Sequence, residues 1–139
     1  METYKHFVQY YETDRMGVTH HSNYIRWMEE ARGYFMHQVG WDYEKFEEIG
    51  LVSPVVEMNC KYITTTTFAD VVSIDVKVTD FKGVKLCVEY VMTKEDGTKV
   101  LTGSSVHCFI NKEGRPVNMA RQFPEFVKAM NEAFSKEEN

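Results

Sequence analysis

The chain is poor in several features that mark large protein classes. Its 139 residues include only 3 prolines and 3 cysteines. Proline and glycine are scattered singly, so no linker, repeat or low-complexity segment divides the chain. One domain over residues 1–139 is expected. No apolar run is long enough for a membrane-spanning helix, and stable membrane insertion is not expected. The start, Met-Glu-Thr-Tyr-Lys-His, lacks a basic region followed by an apolar stretch, so no signal peptide is expected. A cationic excess is also missing: 16 Lys and Arg face 21 Asp and Glu, a net charge of −5. With no local Lys/Arg cluster, nucleic acid is a poor partner, because phosphate contacts need a basic face.

Cys60, Cys87 and Cys108 cannot all pair within one chain, and they are too far apart for a metal knuckle. Three reduced thiols packed in strands are expected, with a cytoplasmic setting. The adjacent pair His20-His21 lacks the spacing and the further ligands of a metal site, so no metal is expected. Neither a GxSxG elbow nor a phosphate-binding glycine loop occurs, which disfavours a serine hydrolase, a nucleotide hydrolase and a dinucleotide-dependent oxidoreductase.

What is present is an ordinary globular composition, 43% hydrophobic and 27% charged. Residues Tyr4 to Tyr10 read as a first strand and Glu12 to His21 as a loop. Tyr24, Trp27, Met28, Ala31 and Phe35 then recur at helical spacing, predicting a helix from about Ser22 to Val39. Ser22 is the expected N-cap and Gly40 the stop. Gly33 inside this helix predicts close packing against it. Arg26 and Arg32 lie within reach of Glu29 and Glu30 for surface ion pairs. Asp42 caps a short helical piece that ends at Gly50.

From Ser53 the period is two. Val56, Met58, Cys60 and Tyr62 form one expected inner row, Val72 to Val78 a second, and Leu86 to Met92 a third. In the last strand the expected inner row is Val100, Ser104, Val106, Cys108 and Ile110. His107 then points the other way, and Gly103 marks a possible bulge. Phe123, Phe126, Val127, Met130 and Phe134 predict a short amphipathic C-terminal helix. A five-stranded antiparallel sheet needs one face covered, and the helix from Ser22 is the expected cover.

The chemically informative stretch runs from Tyr10 to Tyr24. It sets a carboxylate, Asp14, in the loop that feeds the start of the main helix. That start has unpaired N–H groups and a partial positive charge, suited to a carbonyl oxygen gaining negative charge. A nearby carboxylate can attack the same carbonyl or activate water. Gly17 permits close approach of backbone or ligand. The competing reading is that Asp14 merely caps a turn.

The pattern Tyr11-x-Thr13-Asp14-x-x-Gly17-Val18-x-x-His21-x-x-Tyr24-x-x-x-x-Glu29-x-Ala31-Arg32 resembles the signature of the hotdog acyl-CoA thioesterases. More narrowly, it is similar to their 4-hydroxybenzoyl-CoA thioesterase branch. The resemblance implies an α+β hotdog fold, with the five-stranded sheet wrapped around one long central helix. It implies an acyl-CoA substrate, no separate cofactor, and a homodimer or homotetramer with active sites between subunits. Asp14 falls at the catalytic position, as nucleophile or general base. His21 falls where a backbone N–H polarises the thioester carbonyl, and its ring is expected near the acyl site. Gly17, Val18, Tyr24, Trp27 and Glu29 are the implied substrate-binding positions. Arg15-Met16 departs from the branch, where a small residue commonly follows the Asp. Two other functions remain on the same fold: an enoyl-thioester hydratase or dehydratase, and a non-catalytic acyl-thioester binding module.

Overall fold

Alternation builds the middle of the sheet. In β3 (Val71–Phe81) the side chains of Val72, Ile74 and Val78 are buried, and in β4 (Leu86–Lys94) those of Leu86, Val88, Tyr90 and Met92. The two strands pair antiparallel, with Ile74 opposite Met92 and Val78 opposite Val88. Beside them lie β1 (Tyr4–Phe7), β2 (Val55–Tyr62) and β5 (Lys99–His107), in the order β1-β3-β4-β5-β2. Every pairing is antiparallel. This computed structural model describes residues 2–138, with side chains as far as Ala133. Phe134, expected on the apolar face of the last helix, therefore lies outside the described side chains. Among the described residues, no helix is long and apolar enough to cross a membrane.

The main helix, α1, spans Ser22–Gln38. It buries Tyr24, Trp27, Met28, Ala31 and Phe35 at the spacing the sequence predicts. Each large apolar side chain taken fully out of water contributes about 2 kcal/mol. Its N-cap is His21 rather than Ser22, and the His21 side chain makes no capping bond. The helix stops where glycine permits it: Gly40 has φ +84°, and the Trp41 amide turns back to the Met36 carbonyl at 2.9 Å. Gly33 does mark a close approach, since a Cβ there would lie 3.2 Å from the Tyr43 ring.

The expectation that one helix alone covers the sheet needs correction. A second helical body, α2 (Tyr43–Glu48), α3 (Met119–Gln122) and α4 (Pro124–Glu138), supplies part of the core. Phe126 of α4 is fully buried, with ring centroids 5.0 Å from Trp41, 5.2 Å from Phe46, and 5.4 Å from both Phe81 and Phe109. The reason is length. The sheet runs past the end of α1, and its far end must be closed by other aromatic side chains.

The expected inner row of β5 is out of phase. Leu101, Ser105, His107 and Phe109 are buried, whereas Val106 and Cys108 are only half-buried. Leu101 pairs with Met92 and Lys99 with Thr93, so Val100 is an extra residue in β5. One inserted residue sends every later side chain to the opposite face. Gly103 is not the bulge; its pairing is regular. A Cβ there would lie 2.5 Å from Met28 Cε and 2.8 Å from the Asn59 carbonyl oxygen, so glycine lets α1 lie close on the sheet. β2 is an edge strand: Met58 and Cys60 are half-buried, but Val55, Val56 and Tyr62 are exposed.

Candidate active site

The segment before α1 is pinned rather than loose. Tyr10–Glu12 form one 3-10 turn, and Thr13 bridges Thr19. Between them the Asp14 amide donates to the Val18 carbonyl at 2.8 Å, and the Gly17 amide donates back to the Asp14 carbonyl at 3.0 Å. Gly17 has φ +80°, a conformation that side chains resist, so glycine closes this turn.

Below the turn sits a buried carboxylate, Glu12, only 5% exposed. It accepts from the Gln9 amide at 2.8 Å, from His6 Nε2 at 2.7 Å and from Trp27 Nε1 at 2.7 Å. Burial would raise its carboxyl pKa, but the Gln9 amide, His6 and the Trp27 indole together outweigh it and hold the group below its ordinary value. The Glu12 carbonyl oxygen accepts from the His20 amide and from Asn23 Nδ2, both at 2.9 Å. One residue thus ties β1, the turn and the first turn of α1 together.

The threonine run supplies the second tie. Thr66 is buried, and its Oγ1 lies 2.6 Å from Thr19 Oγ1 and 3.0 Å from the Tyr24 hydroxyl. The Thr19 amide donates to the Thr66 carbonyl at 2.8 Å, and Thr67 Oγ1 donates to the Gly17 carbonyl at 2.7 Å. Sequence reasoning missed these ties. Four consecutive threonines were the available signal, but their partners lie about fifty residues upstream.

Asp14 is half-buried where two clefts meet. Its Oδ1 accepts from the Met16 amide at 2.8 Å, so the turn-capping reading holds for that oxygen. Its Oδ2 has no partner among the described residues. One cleft, with an empty volume of about 720 Å³, is lined by Asp14, Val18, His21, Tyr24, Tyr62 and Thr65 among others. The other, of about 940 Å³, takes in Asp14, His20, Asn23 and Arg26. His21 is exposed at the N-cap of α1, and its amide N–H has no acceptor among the described residues.

Asp14, Val18, His21 and Tyr24 are therefore brought together, with Gly17 closing the turn beside them. Trp27 and Glu29 are not in either cleft. Trp27 is wholly buried and bonded to Glu12, and Glu29 is exposed on α1. The ion pairs expected around Arg26 and Arg32 do not form among the described residues. Glu30 instead accepts from the Tyr4 hydroxyl at 2.8 Å, Arg26 donates to Asn23 Oδ1, and Arg32 donates to the Tyr90 hydroxyl. No described group of three or more His, Cys, Asp or Glu is arranged to hold a metal ion.

Comparison with known proteins agrees with this architecture. An Aquifex aeolicus protein assigned as an esterase is 33% identical over 125 residues, 90% of this chain and 96% of that protein. A Bacillus subtilis protein assigned as an acyl-CoA thioesterase is 30% identical over 127 residues, 91% of this chain and 92% of that protein. The crystal structure of a DHNA-CoA thioesterase from Staphylococcus aureus superposes with a TM-score of 0.91 at 28% identity, covering 99% of this chain and 94% of that one. The family model of the thioesterase-like superfamily matches residues 8–134, and the chain belongs to that superfamily.

Proposed function

We propose that the protein hydrolyses an acyl-CoA thioester to a free carboxylic acid and CoA, with Asp14 acting at the start of α1. The observation that carries this reading is the unpartnered Oδ2 of Asp14 in the same cleft as the His21 N-cap, whose amide also lacks an acceptor. The thioester carbonyl accepts from the His21 N–H, which stabilises the oxyanion as it forms. The Asp14 carboxylate either takes a proton from the attacking water or attacks the carbonyl itself. In both routes water supplies the hydroxyl of the acid, and the departing thiolate takes up the proton. The chemistry calls for no metal or redox cofactor. Tyr24, Val18 and Tyr62 supply apolar lining for the acyl group. We read α1 as the helix about which the sheet curls, supported by the close seat of Met28 on Gly103. Free thiols at Cys60, Cys87 and Cys108 fit a cytoplasmic setting.

The reading extends to assembly. β2 leaves one edge unpaired, and Val56, Tyr62 and Ile63 are exposed along and just beyond it, next to the cleft. A second copy covers that edge by two-fold symmetry, giving a homodimer or a pair of dimers. Sedimentation as a monomer at micromolar concentration removes this part of the reading.

The deciding experiment follows thiol release from a panel of acyl-CoA thioesters. Asp14→Asn keeps the oxygen that caps Met16 and loses the carboxylate. Its kcat falls by about 10²–10⁴ with circular dichroism unchanged. Equal rates for the two proteins overturn the assignment.

A further inference from the structure

A second cavity lies at the other end of α1. Arg32 is ten residues beyond Ser22, about 15 Å along the helix axis. It opens with His107 onto an empty volume of about 470 Å³ whose walls include Phe35, Phe46, Leu86 and Val88. None of the residues that line the clefts around Asp14 lines this cavity.

The polar groups form a one-way chain. Arg32 Nη1 is always a donor and gives to the Tyr90 hydroxyl at 3.1 Å. The Tyr90 hydroxyl and Ser105 Oγ are 2.7 Å apart, as are Ser105 Oγ and His107 Nε2. All three side chains are at most 3% exposed, so an unspent hydroxyl proton is costly. Tyr90 therefore donates to Ser105, and Ser105 donates to His107 Nε2. The ring proton of neutral His107 then sits on Nδ1, which no described group accepts. Among the described residues no fully buried side-chain nitrogen or oxygen is left without a partner, so the unpartnered Nδ1 borders open space. Arg32 has no carboxylate partner among the described residues. The cavity thus presents a guanidinium, a donor N–H and apolar walls, and offers no anion to match them.

The geometry points to a binding site for a small aliphatic carboxylate, its head accepting from Arg32 and His107 Nδ1 and its chain lying against Phe35, Phe46 and Leu86. This site is independent of the reading of Asp14.

Hexanoate and its uncharged counterpart hexanamide are titrated into the full chain, with methionine methyl resonances as position markers. Met36 and Met130 line the cavity, whereas Met16 lies in the cleft at Asp14. Hexanoate is expected to shift Met36 and Met130 but not Met16, equally in the wild type and in Asp14→Asn. Hexanamide binds at least about tenfold more weakly, because it loses the charge-assisted bond. Arg32→Met lowers hexanoate affinity by a similar factor and makes the two ligands equivalent. Equal binding of hexanoate and hexanamide to the wild type overturns the proposal, as does a shift confined to Met16 or no shift at Met36 and Met130. The wild-type comparison decides the matter even where Arg32→Met fails to fold.

Discussion

The two ends of α1 are anchored by buried polar networks of opposite design. At the N-terminal end, three donors converge on one carboxylate: the Gln9 amide, His6 and Trp27 all give to Glu12. That network is closed, because the anion takes every proton pointed at it. At the other end, protons pass outward from a cation along Arg32, Tyr90, Ser105 and His107, and the last donor meets a cavity. A closed network holds the fold and spends itself doing so. An open one has something left for a ligand. Asp14, the carboxylate proposed to act on the thioester, belongs to neither; it rides on the turn that the closed network fixes.

The comparison breaks most visibly at Glu12. Glu12→Ala leaves the wholly buried Trp27 indole and the half-buried Gln9 amide without their acceptor. We expect a loss of about 4 kcal/mol of unfolding free energy, read from urea denaturation. The Glu12 carboxyl is held below its usual value near 4.5, so its contribution is complete above that pH. It is lost as pH falls through the lower, folded value. A variant within 1 kcal/mol of the wild type, a gap of about fivefold in the folding constant, removes the anchoring role.

The open network has a different acid signature. Burial, with the Arg32 charge added, pushes His107 down from 6.5 to about 4. The unfolded chain therefore binds a proton at His107 that the folded chain refuses, between about pH 6.5 and pH 4. Stability falls across that window as pH is lowered, by about 3 kcal/mol when fully traversed, at 1.36 kcal/mol per unit. His107→Leu removes the titration, so its urea midpoint, lower at neutral pH, flattens over the same range. An unchanged slope in the variant would mean that another group carries the titration. The onsets separate the two anchors: on acidification His107 acts first, from about pH 6.5, and Glu12 only below about 4.5.

These two networks were unequally legible in the sequence. The turn from Thr13 to Tyr24 is local, and its residue types at fixed spacing point to Asp14, Gly17 and His21 together. The main helix and the central strands were legible because their apolar side chains keep one period over long stretches, Val72 to Val78 and Leu86 to Met92 in the strands. The phase of β5 was not. Its bulge at Val100 is unmarked, and the residues turned inward, Ser105 and His107, are the ones that polarity assigns to the surface. They are tolerated inside only because Tyr90 and Arg32 meet them there, from β4 and α1. Polar burial of this kind depends on pairing across the fold, which hydrophobic alternation cannot report. Glu12 was hidden for the same reason, since His6 and Trp27 reach it from two other elements. Trp27 has helical spacing whether it faces a substrate or a carboxylate.

The finest distinction lies between anchoring the fold and positioning the carboxylate. Thr67 is exposed, and its hydroxyl spans from the segment after β2 to the Gly17 carbonyl, directly at the turn that carries Asp14. Thr67→Val keeps the shape of the side chain and deletes that bond. The oxygen it leaves behind is near solvent, so water replaces the donor and the global cost is only about 0.5 kcal/mol. The turn loses its direct tie at Gly17 to the threonine run, with only the Thr19–Thr66 bonds left at its edge, and a carboxylate misplaced by a fraction of an ångström reacts poorly. We expect kcat to fall by about tenfold while KM and the urea midpoint barely move. Thr67→Ser, which retains the hydroxyl, restores the rate. Should Thr67→Val lose stability in proportion to activity, the turn is held as part of the fold, and the division between anchoring and positioning at this end of α1 disappears.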